Sequence, residues 1–255
     1  MQITNKVFIV TGGASGLGEA TMRMLVENNA KVIIADMNDE RGALLERELE
    51  GKVFFVKADV SSEADGKQII NMATGIGILC GVINCAGIGN PARLINKDGS
   101  AHSLEYYSKV IQVNLIGSFN MIRLASAAMA QNARDDSGEK GVIINTASVA
   151  AYDGQIGQVA YAASKGGIVA MTLPVARELS RKGIRCMTIA PGIFETPMLL
   201  EASEEVKQSL GSQVPFPSRL GKPSEYASLV RHIIENQMLN GEVIRLDGAI
   251  RMAPK

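Results

Sequence analysis

The residues best able to do chemistry are a tyrosine and a lysine four positions apart, Tyr161 and Lys165. On a helix this spacing places both side chains on one face. A free phenol has a pKa of about 10 and is a poor base at neutral pH, but an ammonium within about 4–6 Å stabilises the phenolate. The pair is therefore predicted to move a proton to or from an alcohol oxygen. Taken alone, however, such a pair is more typical of a solvated helix face.

A serine lies at a useful distance from this pair. Ser148 is 13 residues before Tyr161 and is predicted to end the fifth strand. Its hydroxyl is expected to bind the same alcohol oxygen as charge develops on it.

A glycine-rich segment near the start of the chain has the form of a phosphate-binding loop. It runs from Thr11 to Gly18, directly after an apolar strand and at the start of a helix. Glycine permits the tight turn and the close approach of a pyrophosphate, and the helix N-terminus offers free N–H groups to that anion. The residues expected to meet a dinucleotide here are Gly12, Ser15, Gly16, Leu17 and Gly18.

A carboxylate follows at the spacing expected for ribose recognition. Asp36 is predicted to end the second strand, 18 residues after Gly18. Its carboxylate would accept hydrogen bonds from the adenosine ribose and would repel a 2′-phosphate. The nearest basic candidate for neutralising that phosphate, Arg41, lies a helical turn into the next element. NAD is therefore predicted rather than NADP. The alternative interpretation is a glycine turn followed by a helix-capping aspartate.

Seven short apolar runs predict the strands that must position these residues. The runs are nearly continuous rather than alternating, which is typical of strands buried on both faces of a parallel sheet. Stretches with helical spacing lie between them. The pattern predicts one α/β domain over residues 1–255, with a Rossmann-type, doubly wound sheet of about seven parallel strands and helices on both faces. The runs are 7–10, 32–34, 53–56, 82–83, 142–144, 184–189 and 243–244.

Three segments are longer than this alternation needs, namely 89–103, 132–140 and 193–219. Loops longer than about 12 residues are commonly functional. The third follows the end of a strand, where open α/β sheets bind ligands, and is expected to be a substrate loop.

The composition argues against several other classes of protein. Lys and Arg total 26, Asp and Glu also total 26, and this balance disfavours a nucleic-acid binder. We find no apolar run of about 18 residues and expect no membrane span. The three cysteines, Cys80, Cys85 and Cys186, lack metal-ligand spacing, so neither a metal site nor a disulfide framework is expected. An apolar strand begins by Val7, so no targeting segment is expected and a cytoplasmic location is predicted.

Over essentially its full length the chain resembles the short-chain dehydrogenase/reductase family. The motifs that carry the resemblance occur in the family's order. They are Thr11 with Gly16 and Gly18, Asp59-Val60, Asn84-Cys85-Ala86-Gly87, Asn114, Ser148, Tyr161 with Lys165, and Pro191-Gly192. One departure is Cys85, which stands where the family usually has a second asparagine.

The resemblance implies roles for individual residues. It implies a catalytic tetrad of Asn114, Ser148, Tyr161 and Lys165, in which Asn114 anchors a water that relays the proton. It implies that Lys165 holds the nicotinamide ribose and that Thr196 faces the carboxamide. The remaining residues implied to contact the cofactor are Asp59, Val60, Asn84, Cys85, Ala86, Gly87, Tyr161, Pro191, Gly192 and Phe194.

Four segments, 141–150, 163–174, 212–221 and 241–252, resemble the branch of that family that acts on 3-hydroxyacyl-CoA. This narrower resemblance implies NAD-dependent interconversion of 3-hydroxyacyl-CoA and 3-oxoacyl-CoA with short or branched chains. It also implies the S alcohol and a homotetramer. A hydroxysteroid or another secondary alcohol is the alternative substrate. A non-catalytic NAD-binding scaffold is an alternative of another class, disfavoured because Tyr161 and Lys165 are both present.

Residues that contact the substrate are harder to infer. The amides of Gln155 and Gln158, just before Tyr161, would hydrogen-bond the substrate carbonyl or thioester, or would form only a polar helix start. Apolar residues of the loop 193–219 would cover the acyl chain, or would be core or oligomer contacts. The candidates for this cover are Phe194, Leu199, Leu200, Val214 and Phe216. The substrate residues predicted overall are Ser148, Gln155, Gln158, Tyr161 and Leu199.

Overall fold

The computed structural model describes residues 1–200 and 203–254, without the side chains of Met198 and Leu200. These residues form one seven-stranded sheet in the order β3-β2-β1-β4-β5-β6-β7. Every pairing in it is parallel. The predicted doubly wound α/β sheet is therefore confirmed. The strands are β1 (Val7–Thr11), β2 (Lys31–Asp36), β3 (Val53–Lys57), β4 (Leu79–Asn84), β5 (Gly141–Thr146), β6 (Ile184–Pro191) and β7 (Val243–Leu246).

Helices connect the strands and cover both faces of the sheet. They are α1 (Gly16–Glu27), α2 (Asp39–Glu48), α3 (Glu63–Ile76), α4 (Leu104–Ile111), α5 (Ser118–Met129), α6 (Val159–Ser180), α7 (Pro197–Leu200), α8 (Glu204–Ser212) and α9 (Pro223–Glu235). A π-helical turn, Gln112–Gly117, joins α4 to α5, and a 3₁₀ turn, Val149–Ala151, precedes α6.

The sheet is buried on both faces, which explains the near-continuous apolar runs. Phe8 and Val10 of β1 point into one core with α1 and α9. Val7 and Ile9 point into the other core, with α3 and α5. Successive side chains of a strand face opposite sides, so a strand covered on both sides needs apolar residues at every position.

The order of strands changes direction at β1, which pairs with β2 on one side and β4 on the other. Thr11, the last residue of β1, stands beside Ala35 and Asn84. The segments that follow β1, β2 and β4 therefore meet at one edge of the sheet. In doubly wound sheets this crevice binds ligands.

The segment 193–219, predicted as a loop, contains two helices among its described residues, α7 and α8. The side chain of Ser203 accepts a hydrogen bond from Val206 N and begins α8. A capping serine followed by two acidic residues favours a helix, so the sequence does contain a local signal for α8.

Within the part of the chain that the structure describes, one helix, α6, is long and apolar enough to cross a membrane by length and composition. The sequence led us to expect none. In the structure α6 packs against β6, α4 and the 3₁₀ turn. These contacts bury one stripe of the helix, made up of Ala160, Ser164, Lys165, Ile168, Thr172 and Ala176.

Candidate active site

A cavity of about 920 Å³ opens at the carboxyl ends of the strands. Ligand cavities in proteins commonly measure roughly 300–1,000 Å³, so it can hold a large ligand. Most of the predicted cofactor residues line it: Gly12, Ser15, Gly16, Leu17, Gly18, Asp36, Asp59, Val60, Cys85, Ala86, Gly87, Tyr161, Lys165 and Thr196. No group of three or more His, Cys, Asp or Glu side chains among the described residues could hold a metal ion.

The glycine-rich loop is a tight cradle that only glycine permits. Gly12 has a φ of +63°, and a Cβ placed on it would lie 2.8 Å from Ala86 N. A Cβ on Gly18 would lie 2.0 Å from Gly12 O. The Ser15 side chain makes no capping hydrogen bond at the start of α1. The first amides of the helix therefore remain available to an anion, and the loop fits a pyrophosphate.

Asp36 is held rigidly beside this loop. Its Oδ2 accepts a hydrogen bond from Ala14 N at 3.0 Å, and its Oδ1 accepts one from Asn38 N at 3.0 Å. Each carboxylate oxygen retains a lone pair for a ribose hydroxyl. Arg41, the nearest basic candidate for a 2′-phosphate, donates instead to Glu19 Oε1 at 2.7 Å. The geometry therefore fits a ribose without a phosphate.

A second wall of the cavity is formed after β3. Asp59 Oδ1 accepts hydrogen bonds from Ser61 N at 2.9 Å and from Ser61 Oγ at 2.8 Å. Val60 is buried and lies against the π-helical turn, where a Cβ on Gly117 would come within 2.6 Å of Val60 Cγ2. This wall lies on the Asp36 side of the cavity, where an adenine would follow the ribose.

Helix α6 carries the tyrosine and lysine that the spacing placed on one face. Lys165 Nζ lies 5.6 Å from the centroid of the Tyr161 ring. The lysine is buried, and its Nζ donates a hydrogen bond to Thr146 O at 2.7 Å. The end of β5 therefore fixes where the ammonium sits relative to the phenol.

Burial dominates the proton equilibria of this pair. Desolvation raises the pKa of Tyr161, and hydrogen bonding to Ser148 only partly opposes that shift. Desolvation lowers the pKa of Lys165 to about 8. The prediction that the Lys165 ammonium lowers the pKa of Tyr161 is therefore wrong for the protein without a bound ligand. The physical reason is that both groups lose water, which disfavours the phenolate and the ammonium alike.

Asn114 anchors the backbone on the other side of Lys165. Its Oδ1 accepts a hydrogen bond from Ile88 N at 2.8 Å, and its Nδ2 donates to Ile88 O at 2.8 Å and to Ser164 Oγ at 3.0 Å. A Cβ on Gly87 would lie 3.3 Å from Asn114 Oδ1 and 3.6 Å from Lys165 Nζ. The asparagine sits in the π-helical turn, a feature that often marks functional sites.

Other predicted residues lie around the cavity or outside it. Gln158 lines the cavity, but Gln155 Nε2 donates to Ala253 O at 2.9 Å in the C-terminal tail. Ser148 begins the 3₁₀ turn, two residues beyond the end of β5, and its Oγ accepts from Ala150 N at 3.1 Å. Asn84 is buried and donates to Asn145 Oδ1 at 2.9 Å, which joins β4 to β5 behind the site.

The residues predicted to cover the acyl chain do not form one surface. Phe194 and Val214 are buried and line a separate cavity of about 110 Å³, whereas Phe216 is 83% exposed. Leu199 is half-buried in α7, and the Leu200 side chain lies outside the described residues. Pro191 is buried at the end of β6, where Gly192 N donates to Leu246 O at 2.9 Å.

Sequence reasoning missed several residues that line the cavity. The four residues 88–91 follow the motif Asn84–Gly87 directly, so their adjacency to that motif could have indicated them. No sequence signal indicated Lys109, because most lysines on helices simply point into solvent. The missed lining residues are Ala35, Met37, Ala58, Ile88, Gly89, Asn90, Pro91, Lys109, Val113, Thr146, Gly157 and Pro197.

Gly89 packs so closely on Tyr161 that we expect Gly89→Ala to impair activity. The added Cβ would lie 2.5 Å from Tyr161 Cδ2, so the ring must move. A displacement of this kind is expected to lower kcat/KM by about 10- to 100-fold. Gly75→Ala is the matched control, because a Cβ there meets nothing within 4 Å. Steady-state kinetics and thermal unfolding of both variants test this, and wild-type kcat/KM in Gly89→Ala would contradict it.

The lysine amine is expected to be unusually reactive near neutral pH. Burial lowers the pKa of Lys165 from 10.5 to about 8, so the amine is mostly neutral, and nucleophilic, above pH 8. Below that pH it becomes protonated and unreactive. Acetylation by acetic anhydride across a pH series, quantified at Lys165 by mass spectrometry, measures the midpoint. A midpoint at or above pH 10 would show that burial does not act as described.

Comparison with known proteins agrees with this geometry. The family model described as short chain dehydrogenase matches residues 6–207. The chain is 54% identical over 250 residues to 3-hydroxyacyl-CoA dehydrogenase type-2 of Homo sapiens, covering 97% of this chain and 96% of that protein. It is 52% identical over 254 residues to the protein of the same name in Drosophila melanogaster, covering 99% of this chain and 100% of that protein.

A solved structure agrees equally well. The crystal structure of 3-hydroxyacyl-CoA dehydrogenase type-2 from Mycobacterium avium superposes with a TM-score of 0.95 at 40% identity. The superposition covers 100% of this chain and 98% of that chain. The family resemblance read from the motifs is therefore confirmed, and the chain belongs to the short-chain dehydrogenase family.

Proposed function

We propose that this protein interconverts 3-hydroxyacyl-CoA and 3-oxoacyl-CoA with NAD as its cofactor. The observation that carries the proposal is the grouping of Ser148, Tyr161 and Lys165 beside the large cavity, in a chain 54% identical to the human type-2 enzyme. A hydroxyl, a phenol and a buried amine in this arrangement suit proton transfer at a secondary alcohol.

The cofactor assignment is supported by the two ends of the cavity. The glycine cradle before α1 suits the pyrophosphate, and Asp36 suits the adenosine ribose. Glu19 engages Arg41, which leaves the negative charge of Asp36 to oppose a 2′-phosphate. Asp59 and Val60 would hold the adenine, and Lys165 would hold the nicotinamide ribose.

The chain's own residues manage the proton and the oxygen of the substrate. Tyr161 removes the hydroxyl proton in the oxidation and returns it to the oxygen in the reduction. Ser148 donates a hydrogen bond to that oxygen and so fixes C3 in place. The chemistry supplied by the bound cofactor would be hydride acceptance from C3 by NAD in the oxidation and hydride donation to C3 by NADH in the reduction. Asn114 keeps the backbone of Ile88 in place at this end of the site.

Lys165 completes the arrangement through its charge. A protonated lysine next to Tyr161 favours the phenolate, and this effect gains importance once ligands exclude the remaining water. Its hydrogen bond to Thr146 O keeps it within reach of the phenol. The pH range in which the amine carries its proton therefore bears on the rate.

The acyl-CoA assignment is supported by the part of the cavity that residues 89–91 and 157–158 line. Gly157 and Gln158 line it together with Asn90 and Pro91, and a Cβ on Gly157 would lie 3.3 Å from Pro91 Cβ. Gln155 N donates to Gln158 Oε1 at 3.0 Å, and Gln158 Nε2 donates to Gln155 Oε1 at 3.5 Å, so the second N–H of Gln158 Nε2 is the donor for the thioester carbonyl. Ala92 N donates to Gly157 O at 2.8 Å, which joins these two segments.

The proposal also includes the oligomeric state and the cellular location of the protein. A homotetramer is supported by apolar side chains left exposed on α5 and α6, such as Phe119 and Leu173. Cytoplasmic location is supported by three unpaired cysteines, Cys80, Cys85 and Cys186, which suit a reducing compartment.

The test is the initial rate of acetoacetyl-CoA reduction, measured with NADH and with NADPH in parallel. We expect rapid turnover with NADH and a much slower rate with NADPH. Gly75→Ala, remote from the cavity, should match the wild type. If NADH binds but acetoacetyl-CoA is not reduced, while a hydroxysteroid or another secondary alcohol is oxidised, the acyl-CoA assignment is wrong. If NADH binds and none of these substrates reacts, the protein is a non-catalytic scaffold.

A further inference from the structure

Behind the catalytic lysine lies a buried polar cluster that the proposed chemistry does not use. Tyr226 of α9 is completely buried, and its hydroxyl lies 2.7 Å from Thr146 Oγ1. Cys85 Sγ lies 3.7 Å from the same Tyr226 hydroxyl, and Thr146 Oγ1 lies 3.6 Å from Cys85 Sγ. The three groups form a closed triangle in which each one can donate to the next.

The triangle joins the ends of two strands at the floor of the cavity. Cys85 follows β4 directly, and Thr146 is the last residue of β5. Both residues line the cavity, whereas Tyr226 reaches them from behind the sheet. Buried polar groups normally require partners, so the phenol of Tyr226 sits where it satisfies both strand ends at once.

The link to catalysis is the carbonyl of Thr146. That oxygen accepts the hydrogen bond from Lys165 Nζ at 2.7 Å. Its peptide unit is held on one side by β6, because Ala147 N donates to Ile189 O at 2.8 Å. The Thr146 side chain, bonded to Tyr226, holds the residue from the other side. Tyr226 is therefore two hydrogen bonds from the lysine.

We propose that Tyr226 is a positioning residue of the active site, whose hydroxyl fixes Thr146 and so the carbonyl that holds Lys165. Cys85, the one departure from the family's usual motif, supplies the third corner of the triangle. A thiol is small enough to accept from Thr146 while donating to the phenol. The inference deepens the proposed function and rests on it for its kinetic readout only.

The pKa shifts of Tyr226 and Cys85 indicate that the Tyr226 phenol holds its neighbours in place and does not exchange a proton. Burial raises the pKa of Tyr226 well above its usual value and also raises the pKa of the Cys85 thiol. Both groups therefore keep their protons and serve as donors. The titratable groups around Lys165 are Tyr161 on its own helix and Cys85 at the end of β4.

The test is Tyr226→Phe, which keeps the ring and removes the hydroxyl. The expected primary result is a lower pH midpoint for acetylation of Lys165 in the free protein, by about half a unit, because an ammonium whose acceptor is held less firmly is less stable. The expected kinetic result is a fall in kcat of about 10-fold for acetoacetyl-CoA reduction. Thr146→Val removes the same hydrogen bond by another route and should give the same shift.

Two further variants separate positioning from general destabilisation. Thr188→Val, the matched control, removes a buried hydroxyl that lies 2.6 Å from Thr172 Oγ1, outside the cavity. It should lower the thermal midpoint similarly and leave Lys165 acetylation unchanged. The double variant Tyr226→Phe/Thr146→Val should shift the Lys165 acetylation midpoint no further than either single variant, because both remove the hydrogen bond between Tyr226 and Thr146.

The outcomes are distinct. A wild-type acetylation midpoint in both Tyr226→Phe and Thr146→Val overturns the proposal, as does an equal shift in Thr188→Val. If Tyr226→Phe does not fold, Thr146→Val decides alone by the same criterion. A shifted midpoint in a protein that does not reduce acetoacetyl-CoA supports the positioning role and rejects the proposed function instead.

Discussion

Replacing Tyr161 by phenylalanine is expected to lower kcat for acetoacetyl-CoA reduction by about 1,000-fold or more. The variant loses the hydroxyl that transfers the proton, and general acid–base catalysis commonly contributes about 10²- to 10⁴-fold. The ring remains, so its packing against Gly89 and the position of Lys165 are retained. NADH binding, measured by fluorescence titration, should stay within about threefold of the wild type.

Tyr107→Phe is the matched control for this experiment. Tyr107 lies on α4 and does not line the cavity, so its variant should keep wild-type kinetics. A Tyr161→Phe variant with near-normal turnover would remove the phenol from the mechanism. Loss of NADH binding together with turnover would instead point to a collapse of the site.

Replacing Asp36 by asparagine is expected to change the ratio of NADH to NADPH preference by about 100-fold. The carboxylate is held by Ala14 N and Asn38 N, and the amide can keep only one of these acceptor oxygens. Hydrogen bonds to a charged group are worth about 1.5–3 kcal/mol, so kcat/KM for NADH should fall about 10-fold. Removing the negative charge also relieves repulsion of a 2′-phosphate, so kcat/KM for NADPH should rise about 10-fold.

Asp39→Asn provides the control for that change. Asp39 is exposed, pairs with Lys57 at 3.3 Å, and does not line the cavity. Its variant should retain the wild-type cofactor preference. An Asp36→Asn variant in which both cofactors lose activity equally would mean that Asp36 only holds the loop and does not select the cofactor.

Much of the fold could be predicted because its signals are local. Continuous apolar runs indicate strands covered on both faces, and all seven predicted runs lie within the strands observed. The glycines before α1 and the carboxylate at the end of β2 follow each other at a fixed spacing. Tyr161 and Lys165 share a helix face for the same reason. The segment 193–219 was predicted as a loop from its length, although Ser203 followed by two acidic residues is a local signal for α8.

The tertiary structure alone decided how these groups act on one another. Gln155 donates to the C-terminal tail, a partner 98 residues away in sequence, rather than lining the cavity as Gln158 does. Phe194 and Val214 are buried and line a separate, smaller cavity, so they do not cover the site predicted for the acyl chain. No local pattern reports such partners, because burial and pairing depend on segments that meet only after folding.

The amino-acid sequence by itself determined the parallel sheet and the glycine cradle, since each rests on residue type and short spacing, and its motifs carried the resemblance to the family. Only the tertiary structure decided the electrostatics of the site. Arg41 is bound by Glu19, and Lys165 is held by Thr146 from a strand 19 residues earlier. Burial raises the pKa of Tyr161, whereas the spacing of Tyr161 and Lys165 alone predicted a decrease. The reason is that the phenolate loses more hydration energy on burial than it gains from attraction to a neighbouring charge.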